Sequence, residues 1–169
     1  MSGILNYFGI DPISAIISGI SAINSIRLDN NEEKALLEEI LEEMKDNLKI
    51  IKDDYIKNDC SIESVISALK INNLEKGERA RKRRKLNFNR IKDGKIKTEC
   101  FVSTHQKKYY SEFDTEQLLL KIREKIKDIK KVKSLYFKRN QWSHKINHKT
   151  RMKTIVELHL LLSKHLSGK

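Results

Sequence analysis

At 169 residues, 34% of them charged, the chain is sized for one domain or one domain with a helical appendage. A single proline and six glycines are too few for a loop-rich all-β protein or a disordered chain, and 38% hydrophobic residues suffice for a modest core. The net charge of +12 is carried unevenly, with 7 Lys/Arg against 14 Asp/Glu in residues 1–75 and 28 against 9 in residues 76–169, a field suited to a polyanion such as nucleic acid, with an anionic membrane surface as the rival.

The chain opens with an apolar run, and Asp11 as N-cap with Pro12 at the first helical position predicts a helix over 11–27. Ile13, Ile16, Ile17, Ile20 and Ile23 recur at helical spacing, while Ala15, Gly19 and Ala22 allow another helix to approach. No basic segment precedes this run, so it does not read as a signal peptide, and its Ser and Asn content speaks against a bilayer span. A core or dimer contact is the first reading of the helix, and membrane-surface insertion is the second. Asn30 and Glu33 form a capping-box pattern for a long helix reaching about Asn58, apolar at Leu36, Leu37, Ile40, Leu41, Met44, Leu48, Ile51 and Tyr55. Its Glu38, Glu39, Glu42 and Glu43 read as an acidic outer face, solvated or docked on the basic half.

Ser61 caps a short helix carrying Ile62, Val65, Ile66 and Leu69. After Asn72 and Asn73 comes the densest charge run in the chain, Arg79, Arg81, Lys82, Arg83, Arg84 and Lys85, placed at a helix end or in a loop. Phosphate contact is its favoured role, beside a receptor-read address or a plain solvated face. Asp93–Gly94, between Leu86–Ile91 and Ile96–Val102, suits a small β-hairpin, and residues 103–112 read as a polar loop. Asp114 and Gln117 then spell a capping box, with Phe113 and Leu118 as its hydrophobic staple. The helix they open runs to about Tyr136 on a stripe of Leu119, Ile122, Ile126, Ile129 and Val132, and its other faces are rich in lysine. A last helix is expected from Thr150 to Leu166, with His159 as a buried structural histidine and Gly168 beyond the end.

Between these two helices lies Lys138-Arg139-Asn140-Gln141-Trp142-Ser143-His144. Arg139 followed by Asn140, with four residues separating Arg139 from His144, resembles the signature of the HEPN superfamily: Arg, four to six residues, then His, often with a polar residue after the arginine. The resemblance implies a helical bundle and a metal-independent endoribonuclease, in which the RNA's 2′-OH attacks the adjacent phosphorus. It casts His144 as general acid or base, Arg139 as the group that holds the phosphate, and Asn140 as an orienting side chain. It also implies a composite site shared by two protomers, hence a homodimer, and a toxin or host-defence role with an antitoxin or other regulator as partner. On a regular helix positions five apart diverge by about 140°, so Arg139 and His144 converge only through a bend or a second protomer.

Around the motif, Lys138, Lys145, Lys149 and Arg151 add positive charge, and Trp142 suits either base stacking or a plug at the bundle end. His144 and His148 have the spacing of two metal ligands on a helix, but no third ligand stands near in sequence, and neither a metal nor a cofactor is expected. The absence of a Gly-rich phosphate loop and a GxSxG elbow argues against an NTPase or a serine hydrolase. Cys60 and Cys100 lack a CxxC partner, which points to a reducing cytoplasm. The expected architecture is therefore all-α: an apolar N-terminal helix in 1–28, then a basic helical-bundle domain over 29–169. Four or five helices are expected, with a hairpin insertion near 86–102. A non-catalytic nucleic-acid-binding dimer, or a membrane-active effector led by residues 1–27, are the alternatives to a ribonuclease.

Overall fold

The computed structural model describes residues 12–25, 31–58, 60–101, 103–137 and 148–168. They form helices α1 (Pro12–Ser25), α2 (Asn31–Lys49), α3 (Ile62–Ala68), α4 (Asn72–Lys82), α5 (Thr104–Tyr110), α6 (Thr115–Phe137) and α7 (His148–Ser167). A π-helical turn, Ile50–Lys57, prolongs α2, and two 3₁₀ turns lie at Phe88–Arg90 and Thr98–Cys100. The all-α class is as expected, but the described residues hold seven α-helices where four or five were expected. The residues read as a loop over 103–112 in fact contain α5, whose Ser103 side chain accepts from the Gln106 N–H at 3.1 Å.

No strand occurs among the described residues, so the hairpin expected near 86–102 is not formed. Its apolar residues do not alternate: Leu86, Phe88, Ile91, Ile96 and Cys100 all enter the core. Ile96 gives its N–H to the Phe113 carbonyl at 2.8 Å, outside the supposed hairpin. The chain does bend at Gly94, which takes φ +87°, but no strands flank it.

Helices α1, α2, α6 and α7 surround the core, and α4 bridges α2 to α6 while α3 leans on α6. Ile16 and Ile23 of α1 are fully buried, and so are Leu37, Ile40, Leu41 and Met44 of α2. A β-carbon on Gly19 would lie 3.2 Å from Leu166 and 3.3 Å from Leu41, so glycine lets α1 sit close to α2 and α7 at once. Ala15 is buried in the same way, whereas Ala22 faces outward. The Asp114 box closes reciprocally, Asp114 N–H to Gln117 Oε1 at 3.0 Å and Gln117 N–H to Asp114 Oδ1 at 2.8 Å. Above it Leu118, Leu119, Ile122, Ile126 and Ile129 carry α6 into the core, each worth about 1.5–3 kcal/mol in apolar burial.

Buried polar groups tie the short helices down. Glu43, read from the sequence as part of an acidic outer face, is only 4% exposed. Its two carboxylate oxygens accept from the N–H groups of Asn73 (2.9 Å) and Leu74 (3.1 Å), so α2 supplies the cap that α4 lacks locally. Asn47, fully buried, accepts from the Lys70 N–H at 2.7 Å and donates to the Lys70 carbonyl at 2.8 Å. His159 is buried as expected, its Nδ1–H donating to the Ile155 carbonyl at 2.8 Å, and burial lowers its pKa to about 4. His165 is buried too. Thr115 Oγ1 gives its proton to the Lys92 carbonyl at 2.6 Å, so it accepts from His165 Nε2–H at 2.9 Å. Burial, then the charge of Lys92, holds His165 at about 4.

Candidate nucleic-acid interface

The charge run at the end of α4 is shaped by what lies on each side of it. Gly77 lets α4 press on the core, where a β-carbon would come within 2.7 Å of Ile40 and 3.0 Å of Phe88. Past Lys82 the chain closes the helix with two bonds, Arg84 N–H to the Arg81 carbonyl at 2.8 Å and Lys85 N–H to the Ala80 carbonyl at 2.9 Å. That is the Schellman pattern, and Arg84 holds its left-handed position at φ +57°, where glycine is the usual occupant. Leu86 and Phe88 then plunge into the core. Arg83, Arg84 and Lys85 are thereby held outward on a bend pinned at both ends.

Pairing separates the basic residues into two groups. Arg81 donates to Glu116 at 3.0 Å, Lys82 lies 3.1 Å from Glu78, and Arg90 lies 3.6 Å from Glu33. Arg79, Arg83, Arg84 and Lys85 are exposed and meet no carboxylate among the described residues. Beside them lies an open cleft of about 680 Å³ whose cationic lining is Arg81, Arg84, Lys85 and Arg90. Three carboxylates, Glu32, Glu33 and Glu116, share that wall. Glu116 is engaged by Arg81, and Glu33 by Arg90 and the Asn87 N–H (3.0 Å). Sequence reading missed Arg90, which is remote from the run until the Phe88–Arg90 turn brings it to the cleft.

The lysine-rich faces of α6 are largely spent inside the molecule. Arg123 lies 2.6 Å from Glu78 and 3.8 Å from Glu75, and Lys127 lies 3.4 Å from Glu75. Lys130 reaches the Ser67 carbonyl at 3.3 Å, and Lys133 reaches the Glu63 carbonyl at 2.8 Å and the Ser67 hydroxyl. Burial by itself would raise the Glu78 carboxyl, but its ion pairs with Lys82 and Arg123 override that and leave it below the ordinary carboxylate value. Desolvation and the neighbouring Lys133 charge lower Lys130.

Lys149 and Arg151 stand exposed in the first turn of α7, again without a carboxylate partner among the described residues. Cations there oppose the helix dipole, so they do not serve the helix itself. The remaining predicted site residues, Lys138, Arg139, Asn140, Trp142, His144 and Lys145, lie outside the described residues, and so does one member of the His144–His148 pair. His148, at the start of α7, is partly buried, which lowers its pKa ahead of the opposing charges of Glu63 and Arg151. Among the described residues no three metal-ligating side chains gather, and no helix is long and apolar enough to cross a membrane. Comparison with protein-family models, curated proteins and solved structures yields no match.

Proposed function

We propose that this protein binds nucleic acid, RNA foremost, with the bend at Arg83–Lys85 and the adjoining cleft as its phosphate-gripping surface. One observation carries the reading. The fold occupies most α6 cations, pairing Arg123 and Lys127 with α4 carboxylates and Lys121 and Lys125 with Glu124 of the same helix, and holding Lys130 and Lys133 on neutral oxygens of α3. Yet it leaves Arg79, Arg83, Arg84 and Lys85 together without acidic partners among the described residues. Two cations would already satisfy the carbonyl end of α4, and Arg81 and Lys82 supply them. The cations beyond the helix end serve a partner, and Arg84 does so from a backbone conformation that costs an arginine about 1 kcal/mol. Lys149 and Arg151, placed against the dipole of α7, are a second pair of exposed cations and are close in sequence to the Arg139–His144 segment.

A second reading, cleavage of the bound RNA by Arg139 and His144 in a homodimer of HEPN type, is favoured by one placement. In sequence, the motif falls between α6 and α7, two helices that pack along one another, which is compatible with a family whose motif lies near the end of a small helical bundle. Both readings meet one experiment, end-labelled single-stranded RNA incubated in EDTA with wild type and with His144→Ala. Retarded RNA establishes binding, and its absence at low salt rejects the first reading. Cleavage by wild type alone, leaving a 2′,3′-cyclic phosphate, establishes the second, and intact RNA under both proteins rejects it.

A further inference from the structure

Helix α5 is short, and its two sides differ in kind. Gln106 is buried, and Tyr110 turns inward onto Phe113 with ring centroids 5.2 Å apart in a T-shaped contact. His105, Lys108 and Tyr109 stand at i, i+3 and i+4, and so share an exposed side. There Tyr109 leaves 55% of its surface in water. The His105 ring lies 4.6 Å from it at a 48° tilt, and Lys108 Nζ lies 5.6 Å from its centroid. Lys107 and Lys108 are exposed and meet no carboxylate among the described residues.

We infer that the His105–Tyr109 face is a stacking platform for an unpaired base of single-stranded nucleic acid. The inference rests on the nucleic-acid reading above and narrows its substrate. Single-strand binders need a π-face that any base can cover and cations that hold the flanking phosphates within the span of a nucleotide. α5 supplies both within one and a half turns. Lys108 stands at the outer limit of cation–π reach, so its ammonium can exchange the ring for a phosphate oxygen at little loss. Packing gives no competing use for the Tyr109 ring, since Tyr110 and Gln106 already fasten α5 to the body. Duplex, whose bases are stacked away, has no use for the platform.

The test is equilibrium binding of a labelled oligouridine and of a duplex of equal length, at one fixed salt concentration, to full-length wild type, Tyr109→Ala and Tyr109→Phe. Tyr109→Ala is expected to weaken oligouridine binding roughly 5- to 100-fold, the range for one lost base stack, while Tyr109→Phe keeps it and duplex affinity is the same for all three. The duplex arm also shows that the alanine variant is folded. The platform is overturned if Tyr109→Ala binds oligouridine as wild type does, if both nucleic acids lose equally, or if phenylalanine fails as alanine does. Failure of wild type to bind either nucleic acid overturns the broader reading as well.

Discussion

Arg84 concentrates the conflict between folding and binding in one residue. At φ +57° its β-carbon crowds the backbone, and Arg84→Gly relieves this without disturbing the two closing bonds of α4, which are made by main-chain atoms. The variant is expected to gain about 1 kcal/mol and melt roughly 2–4 °C higher, while binding RNA several-fold more weakly. A calorimetric scan beside a binding titration reads both, and a glycine variant that is less stable would refute the strain. The buried histidines act in the opposite sense, through pH. His159 and His165 sit at about 4 in the fold, below the 6.5 of a free imidazole, so the unfolded chain binds more protons between those values. Stability is then flat above pH 7 and falls on acidification, by about 2 kcal/mol per histidine between pH 7 and pH 5. His159→Leu removes one such group and an Nε2 that finds no partner among the described residues. It should be close to neutral at pH 7 by urea titration and distinctly more stable than wild type at pH 5. Equal pH profiles would show that His159 is not held neutral by the core.

Between elements, carboxylates decide which short helices exist. Glu43→Ala leaves the Asn73 and Leu74 N–H groups without their acceptor and should cost about 1–3 kcal/mol, whereas Glu42→Ala, on the exposed side of the same turn, should cost less than about 1. Urea midpoints of the two variants decide it, and equal losses would mean that Glu43 caps nothing. This pair also shows where the sequence was and was not legible. Local signals read correctly: the Ser61 cap, the Asp114–Gln117 box and the apolar stripes of α2, α6 and α7 all lie within a few residues of what they control. Glu43 was misread because its partners are 30 and 31 residues away, and nothing local distinguishes it from Glu42. The supposed hairpin failed for the same reason. The glycine that bends the chain is local, but whether Ile91 and Ile96 pair across it or sink separately into a helical core is decided by the helices around them. At the candidate site, the density of Arg79–Lys85 and the Glu78–Lys82 pairing at i,i+4 are local, while the rest of the division into paired and unpaired cations was not legible, because it depends on Glu116 and Glu33 arriving from elsewhere.

Over the whole molecule, a net charge of +12 is the residue of extensive internal cancellation, and what matters to a polyanion is where the cancellation stops. Two kinds of basic residue should therefore respond differently to removal. Arg123, only 18% exposed and paired with Glu75 and Glu78, belongs to the fold. Arg123→Ala should cost about 1–3 kcal/mol by removing the partly buried cation that bridges those carboxylates, which then keep only Lys127 and Lys82, and should leave the salt dependence of RNA binding unchanged. Alanine at Arg79, Arg83, Arg84 and Lys85 together removes four exposed charges that the fold does not use. Each phosphate contact to a single strand contributes about 0.7 to the slope of log K against log salt, so this variant should flatten the slope by roughly 2–3 while keeping or slightly raising the melting temperature. Titrations at several salt concentrations, with thermal melts of the same preparations, separate the two classes. An Arg123 variant that flattens the slope, or a quadruple variant that leaves it intact, would place the nucleic-acid surface somewhere other than the end of α4.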